Sequence, residues 1–251
     1  MIAADLAAAL DPVTLARRAG FAPDPWQRDV LRSRDRQTIL LCSRQSGKST
    51  VSAVMAVHEA AYRDAALVLL LSPSLRQSQE LFRKCLDTYH ALGRVAPPSA
   101  ETKLTLELEN GSRIVSLPGK ESTIRGFSGV DLLIVDEASR VPDALYQSVR
   151  PMLAVSGGRI VLLSTPFGKR GFFFREWTDG GPGWQRVQVT AHDCPRIPPD
   201  WLAAERERIG AWWHDQEYLC RFVDTTDQVF GSELIASALT DDTPMLERIF
   251  S

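Results

Sequence analysis

Cysteine is scarce in this 251-residue chain, and its four copies, Cys42, Cys85, Cys194 and Cys220, never fall in a C-x-x-C spacing. That scatter argues against a zinc site or a disulfide framework and reads as reduced thiols in a cytoplasm. Nowhere do eighteen apolar residues run together, so no membrane span is expected. The opening, MIAADLAAALDPVTLARRAG, lacks a positively charged segment followed by an unbroken apolar core, so no export signal is expected either. An excess of one charge sign is also missing, since the formal net charge is -2. A nucleic-acid partner would therefore have to be met by local patches. The charge is uneven enough to form them: residues 159–175 carry four basic and no acidic side chains, and residues 224–247 carry six acidic and no basic ones. Internal repeats and low-complexity tracts are absent.

What is present is the composition of a soluble globular protein, 44% hydrophobic and 24% charged, with room for one sizeable core and a small appended subdomain. Leu6, Leu10 and Val13 recur at helical spacing and predict a short amphipathic helix packed on the main body. "QTILLCS" reads as a buried strand closed by a polar loop, and "STVSAVMAVHEAAYRD" as the helix after it. "ALVLLLSP" and "SLRQSQELFRKCLDTYHAL" repeat the strand and helix. "DLLIVDEAS" and "GGRIVLLSTP" are two further apolar strands with the helix-length "DALYQSVRPMLA" between them. This alternation predicts an α/β fold with a mostly parallel central sheet flanked by helices. "KLTLELENGSRIVSLPG" interrupts it with two alternating strands around Asn110-Gly111, an antiparallel hairpin insertion. The proline-rich "PRIPPD" precedes a segment that reads as helix, Gly210, helix and short strand. The division expected is a core over 1–194, a small helical lid or linker over 195–238 and an acidic tail over 239–251.

Residues 42–49, Cys-Ser-Arg-Gln-Ser-Gly-Lys-Ser, match the phosphate-loop pattern G-x-x-x-x-G-K-[ST] at every defined position except the first. A buried strand precedes the loop and a helix follows, so the backbone amides of Ser43 to Thr50 are placed to surround phosphates. Gly47 permits close backbone approach, Lys48 supplies a cation to the outer phosphates, and the Ser49 hydroxyl is a Mg²⁺ ligand. Eighty-eight residues after Lys48, "LLIVDE" ends a buried strand on Asp136 and Glu137. Ligands of parallel sheets bind at that strand end. Asp136 is the second metal candidate, and Glu137 the residue to orient or deprotonate an attacking water. By itself an Asp-Glu pair after a strand also fits a helix cap; the upstream loop favours the catalytic reading.

These motifs resemble the large subunit of the terminase packaging motors of tailed bacteriophages. In that family the first glycine of the loop is often replaced and an Arg-Gln pair precedes Gly-Lys, as in "SRQSGKS" here. The resemblance covers nearly the whole chain and implies a RecA-like, ASCE-type P-loop ATPase fold with a C-terminal lid. It implies Mg-ATP as the nucleotide, with Ser43, Arg44, Gln45, Ser46, Gly47, Lys48, Ser49 and Thr50 in the loop and Arg44 as an added cation near the γ-phosphate. "PDPWQRDVL" looks like the family's adenine-contacting segment, with Gln27 facing the base, although a capped surface helix fits it too. "LLSTPFG" fits the coupling motif, where Ser164 and Thr165 sense the γ-phosphate. A basic residue near "TIRGFSG" is a candidate finger acting on a neighbouring subunit, here Arg125, which reads equally as a solvated loop arginine. The implied partners are double-stranded DNA, a portal protein, a small terminase subunit and further copies of the chain in a ring, possible as a monomer in isolation. The implied compartment is the host-cell cytoplasm.

One departure accompanies the resemblance. Large terminase subunits usually continue into an RNase H-like nuclease, and Asp224, Asp227, Asp241 and Asp242 lie in turn-like sequence without apolar strands to hold two metals. No nuclease activity is expected from these residues. The basic patch at Lys169, Arg170 and Arg175 is a DNA-contact candidate that reads equally as a solvated face, with Phe172, Phe173 and Phe174 beside it expected to pack. Two rivals remain at this level: a helicase-like remodeller, which needs a second RecA-like domain, and a non-motor assembly module switched by ATP.

Overall fold

The protein's architecture is taken from a computed structural model that describes residues 2–93, 95–119 and 126–224. In chain order its helices and strands are α1 (Ile2–Leu10), α2 (Pro12–Arg18), α3 (Pro25–Arg32), β1 (Gln37–Cys42), α4 (Lys48–Tyr62), β2 (Leu67–Ser72) and α5 (Leu75–Ala91). There follow β3 (Pro98–Glu101), β4 (Thr105–Leu108), β5 (Arg113–Pro118), β6 (Leu132–Asp136), α6 (Asp143–Val149) and β7 (Arg159–Ser164). The chain then forms α7 (Gly171–Thr178), β8 (Gln185–Val189), α8 (Pro199–Ile209) and α9 (Ala211–Glu217).

The strands join one eight-stranded sheet in the order β3-β4-β5-β2-β6-β7-β1-β8. Six of these strands pair in parallel, and only β3–β4 and β4–β5 are antiparallel. The interior strands are Val, Ile and Leu at successive positions because both faces are covered. Leu40, Leu70, Ile134 and Leu163 point into the layer formed with α2 to α5, whereas Ile39, Leu69, Val135 and Leu162 point to Tyr146, Phe172 and Phe173 of α6 and α7. Each such side chain contributes roughly 1.5–3 kcal/mol by leaving water.

Strand β7 lies between β1 and β6, so the two strands that carry the sequence motifs are next-nearest neighbours. Asp136 registers with Leu163, which in turn registers with Leu40, and Ser164 registers with Leu41. The carboxyl ends of all three strands thus open on the same edge.

The Asn110-Gly111 turn joins β4 and β5 as expected, with Gly111 at φ +81. The insertion sits at the sheet edge, where it adds β4 and β3 beyond β5. The N-terminal expectation needs correcting. Asp11 ends α1 and caps α2 by accepting from the Val13 amide, so Leu6, Leu10 and Val13 do not share one helix face. Val13 is buried, but Leu6 and Leu10 are 58% and 70% exposed. The short strand expected after α9 is also absent: residues 218–224 pass as irregular chain, and Cys220 takes a φ of +56 that breaks an extended run. The α8–Gly210–α9 pair does form.

Candidate active site

The turn out of β1 explains how the phosphate loop dispenses with its first glycine. Cys42 is the last residue of β1, fully buried and paired with Val189, so that position needs no left-handed backbone. Burial pushes its thiol up to about 12, which makes it an inert apolar filler. The turning is done later, by Gln45 at φ +60 and Gly47 at φ +88. A Cβ on Gly47 would also stand 2.7 Å from Nε2 of Gln27, so the second glycine is required twice over.

The loop amides divide into two groups. Ser43 N–H donates to Val189 O at 2.8 Å and Arg44 N–H to Glu217 O at 3.1 Å, which fixes the loop's base. The next five amides, Gln45 to Ser49, have no hydrogen-bond partner among the described residues, and the last two open α4. Ser46 adds a buried hydroxyl without a partner. Unpaired amide donors leading into a helix N-terminus suit an anion. Ser49 and Thr50 lie half-buried in the first turn of α4.

The acidic pair meets this loop through Lys48. Its Nζ lies 3.6 Å from Oε1 of Glu137, and Lys48 is 8% exposed. Glu137 holds a φ of +48, a left-handed conformation that costs a residue with a side chain about 1–3 kcal/mol. Its amide donates to Oδ1 of Asp136 at 3.0 Å. Burial, and secondly the Glu137 charge, push the Asp136 carboxyl up to about 6, against the opposing pull of Lys48. Ser49 and Asp136 fit Mg²⁺ as oxygen donors, and the free amides with Lys48 fit the phosphates it would accompany. Ser164 and Thr165 are buried beside this edge, and the Ser164 hydroxyl shares a 2.7 Å hydrogen bond with Ser139.

Two residues expected to face the nucleotide have protein partners here. Gln27 is fully buried: its Oε1 accepts from the Asp24 amide at 2.7 Å and its Nε2 donates to Ser46 O at 3.1 Å. It therefore caps α3 and buttresses the loop with the same amide. Arg44 donates through Nε to Oε2 of Glu217 at 2.6 Å, which keeps its guanidinium strongly protonated. Arg140 lies 3.7 Å from the other Glu217 oxygen. Arg125 and the carboxylates Asp227, Asp241 and Asp242 lie outside the described residues.

Sequence reasoning missed Glu217, Arg140 and the Asp24–Arg196 pair, whose guanidinium also donates to Ser46 O at 3.2 Å. Glu217 is 173 positions from Arg44 and sits in no motif, so nothing local signals it. Two cations of the basic patch are ion-paired, Lys169 with Asp224 at 3.1 Å and Arg175 with Asp143 at 2.6 Å. Arg170 stacks on Phe167, 4.6 Å from the ring centroid. Phe172 stacks on Tyr146 and Phe174 meets Phe222 edge-on, so the phenylalanines pack.

Residues 39–237 match the family model of the terminase large subunit, T4likevirus-type, N-terminal part. The chain belongs to the large-terminase family. The terminase large subunits of Thermus phage G20c and Thermus virus P23-45 are each 25% identical to it over 247 residues, covering 84% of this chain and 51% of the relative. This terminase chain thus spans about half the length of the curated relatives it matches. Among solved structures, the large terminase ATPase domain of Thermus phage P74-26 superposes with a TM-score of 0.75 at 22% identity, covering 83% of this chain and 97% of that one. The large terminase of a second thermophilic bacteriophage, solved in complex with ADP, gives 0.63 at 12% identity, covering 83% and 52%. At those identities the likeness establishes the fold, and the fold is the mostly parallel, RecA-like ASCE sheet expected of a large-terminase ATPase module.

Proposed function

We propose that this terminase module hydrolyses Mg-ATP and uses the hydrolysis to drive double-stranded DNA into a procapsid. The observation that carries the hydrolytic part is the approach of Lys48 to Glu137, which puts phosphate loop and acidic pair around one space. The thermophilic-phage terminase solved with ADP supports the choice of nucleotide.

The geometry supports the following roles. The amides of Gln45 to Ser49 receive the phosphate oxygens, and Lys48 turns from Glu137 to the outer phosphates. Glu137, no longer neutralised, accepts a proton from the attacking water and aligns it. Mg²⁺, when bound by Ser49 and Asp136, neutralises charge on the phosphate oxygens. Arg44 contributes to the transition state only by exchanging Glu217 for phosphate. Ser164, the last residue of the strand between loop and acidic pair, and Thr165 just after it are proposed to register loss of the γ-phosphate. The buried amide of Gln27, hydrogen-bonded to the protein at both its oxygen and its nitrogen, favours a supporting role over adenine contact. Arg125 is proposed to act on a neighbouring copy in a ring, and a portal protein and small subunit are the proposed partners in the host cytoplasm. Family membership favours this reading over a helicase or an ATP-switched assembly module.

Steady-state turnover tests the assignment. Glu137→Ala is expected to lower kcat by about a hundredfold or more while ATP still binds. Turnover by the Glu137 variant equal to that of the parent chain would remove this residue from the mechanism.

A further inference from the structure

A second cavity, about 380 Å³, opens among the C-terminal turns of α4, the ends of α1 and α3 and the start of β7. The cavity is lined by Met55, His58, Glu59 and Tyr62 of the 15-residue α4, which at 1.5 Å per residue sets it roughly 10–20 Å along the helix from the phosphate loop. Three guanidiniums line it, Arg34, Arg63 and Arg159, against one carboxylate, Glu59. Glu59 is committed to Arg63 at 3.0 Å, and Arg63 is further held by Asp131 at 2.7 Å.

Arg34 and Arg159 are left without a carboxylate partner among the described residues. Arg159 is anchored by backbone alone, its Nε donating to Asp35 O and its Nη2 to Ser33 O, both at 3.2 Å. The Asp35 carboxylate is near enough to favour the Arg159 charge but accepts its hydrogen bond from Ser33. Burial lowers the affinity of Arg159 for its proton and the Arg34 charge adds to this, while the Glu59 charge opposes both; burial likewise disfavours protonation of His58, with Glu59 again acting for the charged form and Arg34 against it. The His58 ring instead shares a 3.0 Å hydrogen bond between Nε2 and Ala9 O. The carbonyl end of α4 and Asp5, which accepts from Tyr62, temper this positive field without pairing either guanidinium. Two like charges in a partly enclosed space of ligand size, walled otherwise by Leu31, Met55 and Tyr62, are stabilised when an anion enters.

We propose that this cavity is a binding site for an anionic head group, a carboxylate or a phosphate on a short apolar body, held between Arg34 and Arg159. Its chemistry is separate from nucleotide hydrolysis.

The test is a ¹H–¹³C NMR titration read at the ring of His58, which is assignable through His58→Gln because the chain holds only four histidines. Inorganic phosphate and hexanoate are added separately at constant ionic strength, to the parent chain and to Arg34→Gln. The expected result is a saturable shift of the His58 ring with at least one of the anions, and a midpoint about tenfold weaker in Arg34→Gln at unchanged Tm. Tighter hexanoate binding would identify a carboxylate ligand, and tighter phosphate binding a phosphorylated one. A ring resonance unmoved by either anion overturns the proposal, as does an Arg34→Gln midpoint equal to the parent's. Phosphate bound only at the nucleotide loop would leave His58 still, so this outcome is distinct from failure of the ATPase reading.

Discussion

At Asp136 stability is set against the chemistry proposed for it. Burial, and after it the Glu137 charge, push its carboxyl up to about 6 from the ordinary 3.8. The sign follows: the folded state binds the proton more tightly than the unfolded chain, so this group favours folding below about pH 4 and loses that contribution as pH rises to 6. Asp136→Asn removes the buried charge and is expected to stabilise the nucleotide-free protein by about 1–3 kcal/mol at pH 7. Chemical denaturation at pH 7 and pH 4 checks this, with the gain vanishing at the lower pH and Mg-dependent turnover lost throughout. Glu137 shows the same tension in its backbone, since φ +48 is tolerated only where the neighbouring structure enforces it. These two residues were legible from "LLIVDE" because the apolar run ends on them. The double duty of Gln27 was not, because an amide that caps α3 and props Ser46 looks in sequence like any polar residue after a proline.

At the scale of elements, the active edge is held together by contacts between distant pieces of chain. The loop after β1 is tied to β8 through Ser43 and to α9 through Arg44, by both a backbone bond to Glu217 and a side-chain pair with it. Glu217→Ala would strip Arg44 and Arg140 of their shared carboxylate and loosen α8 and α9 from the loop. Hydrogen exchange is expected to speed up several-fold across residues 199–217 and to stay unchanged in β1, β6 and β7. Unchanged exchange in α8 and α9 would show that Glu217 does not latch them. Strands β1, β2, β6 and β7 were readable because two-sided burial writes itself as unbroken Val, Ile and Leu. Strand β3, "PSAE", was not readable because an exposed edge strand carries no apolar alternation. The strand expected near Phe222 failed because apolar content there serves contacts with Phe173 and Phe174 instead of a ladder. The helix expected through Val13 failed at Asp11-Pro12, a cap and first-turn proline that start a new helix.

For the whole molecule, the eight-stranded order with β7 between β1 and β6 is what makes one site from motifs 88 residues apart. Whether a neighbouring copy completes that site is a separate matter, and Arg125 is the residue proposed to do so. ATP turnover per chain is expected to rise with protein concentration, and Arg125→Ala to flatten that rise; a rate independent of concentration would count against a shared site. The central claim, that the free amides of the loop and the carboxylates after β6 surround one magnesium-bound triphosphate, is tested most directly by calorimetry with Mg²⁺ and a nonhydrolysable ATP analogue. The expected result is one binding event per chain, retained in Glu137→Ala and lost in Lys48→Ala. No heat of binding in the parent chain, or affinity unaffected by loss of Lys48, would contradict it.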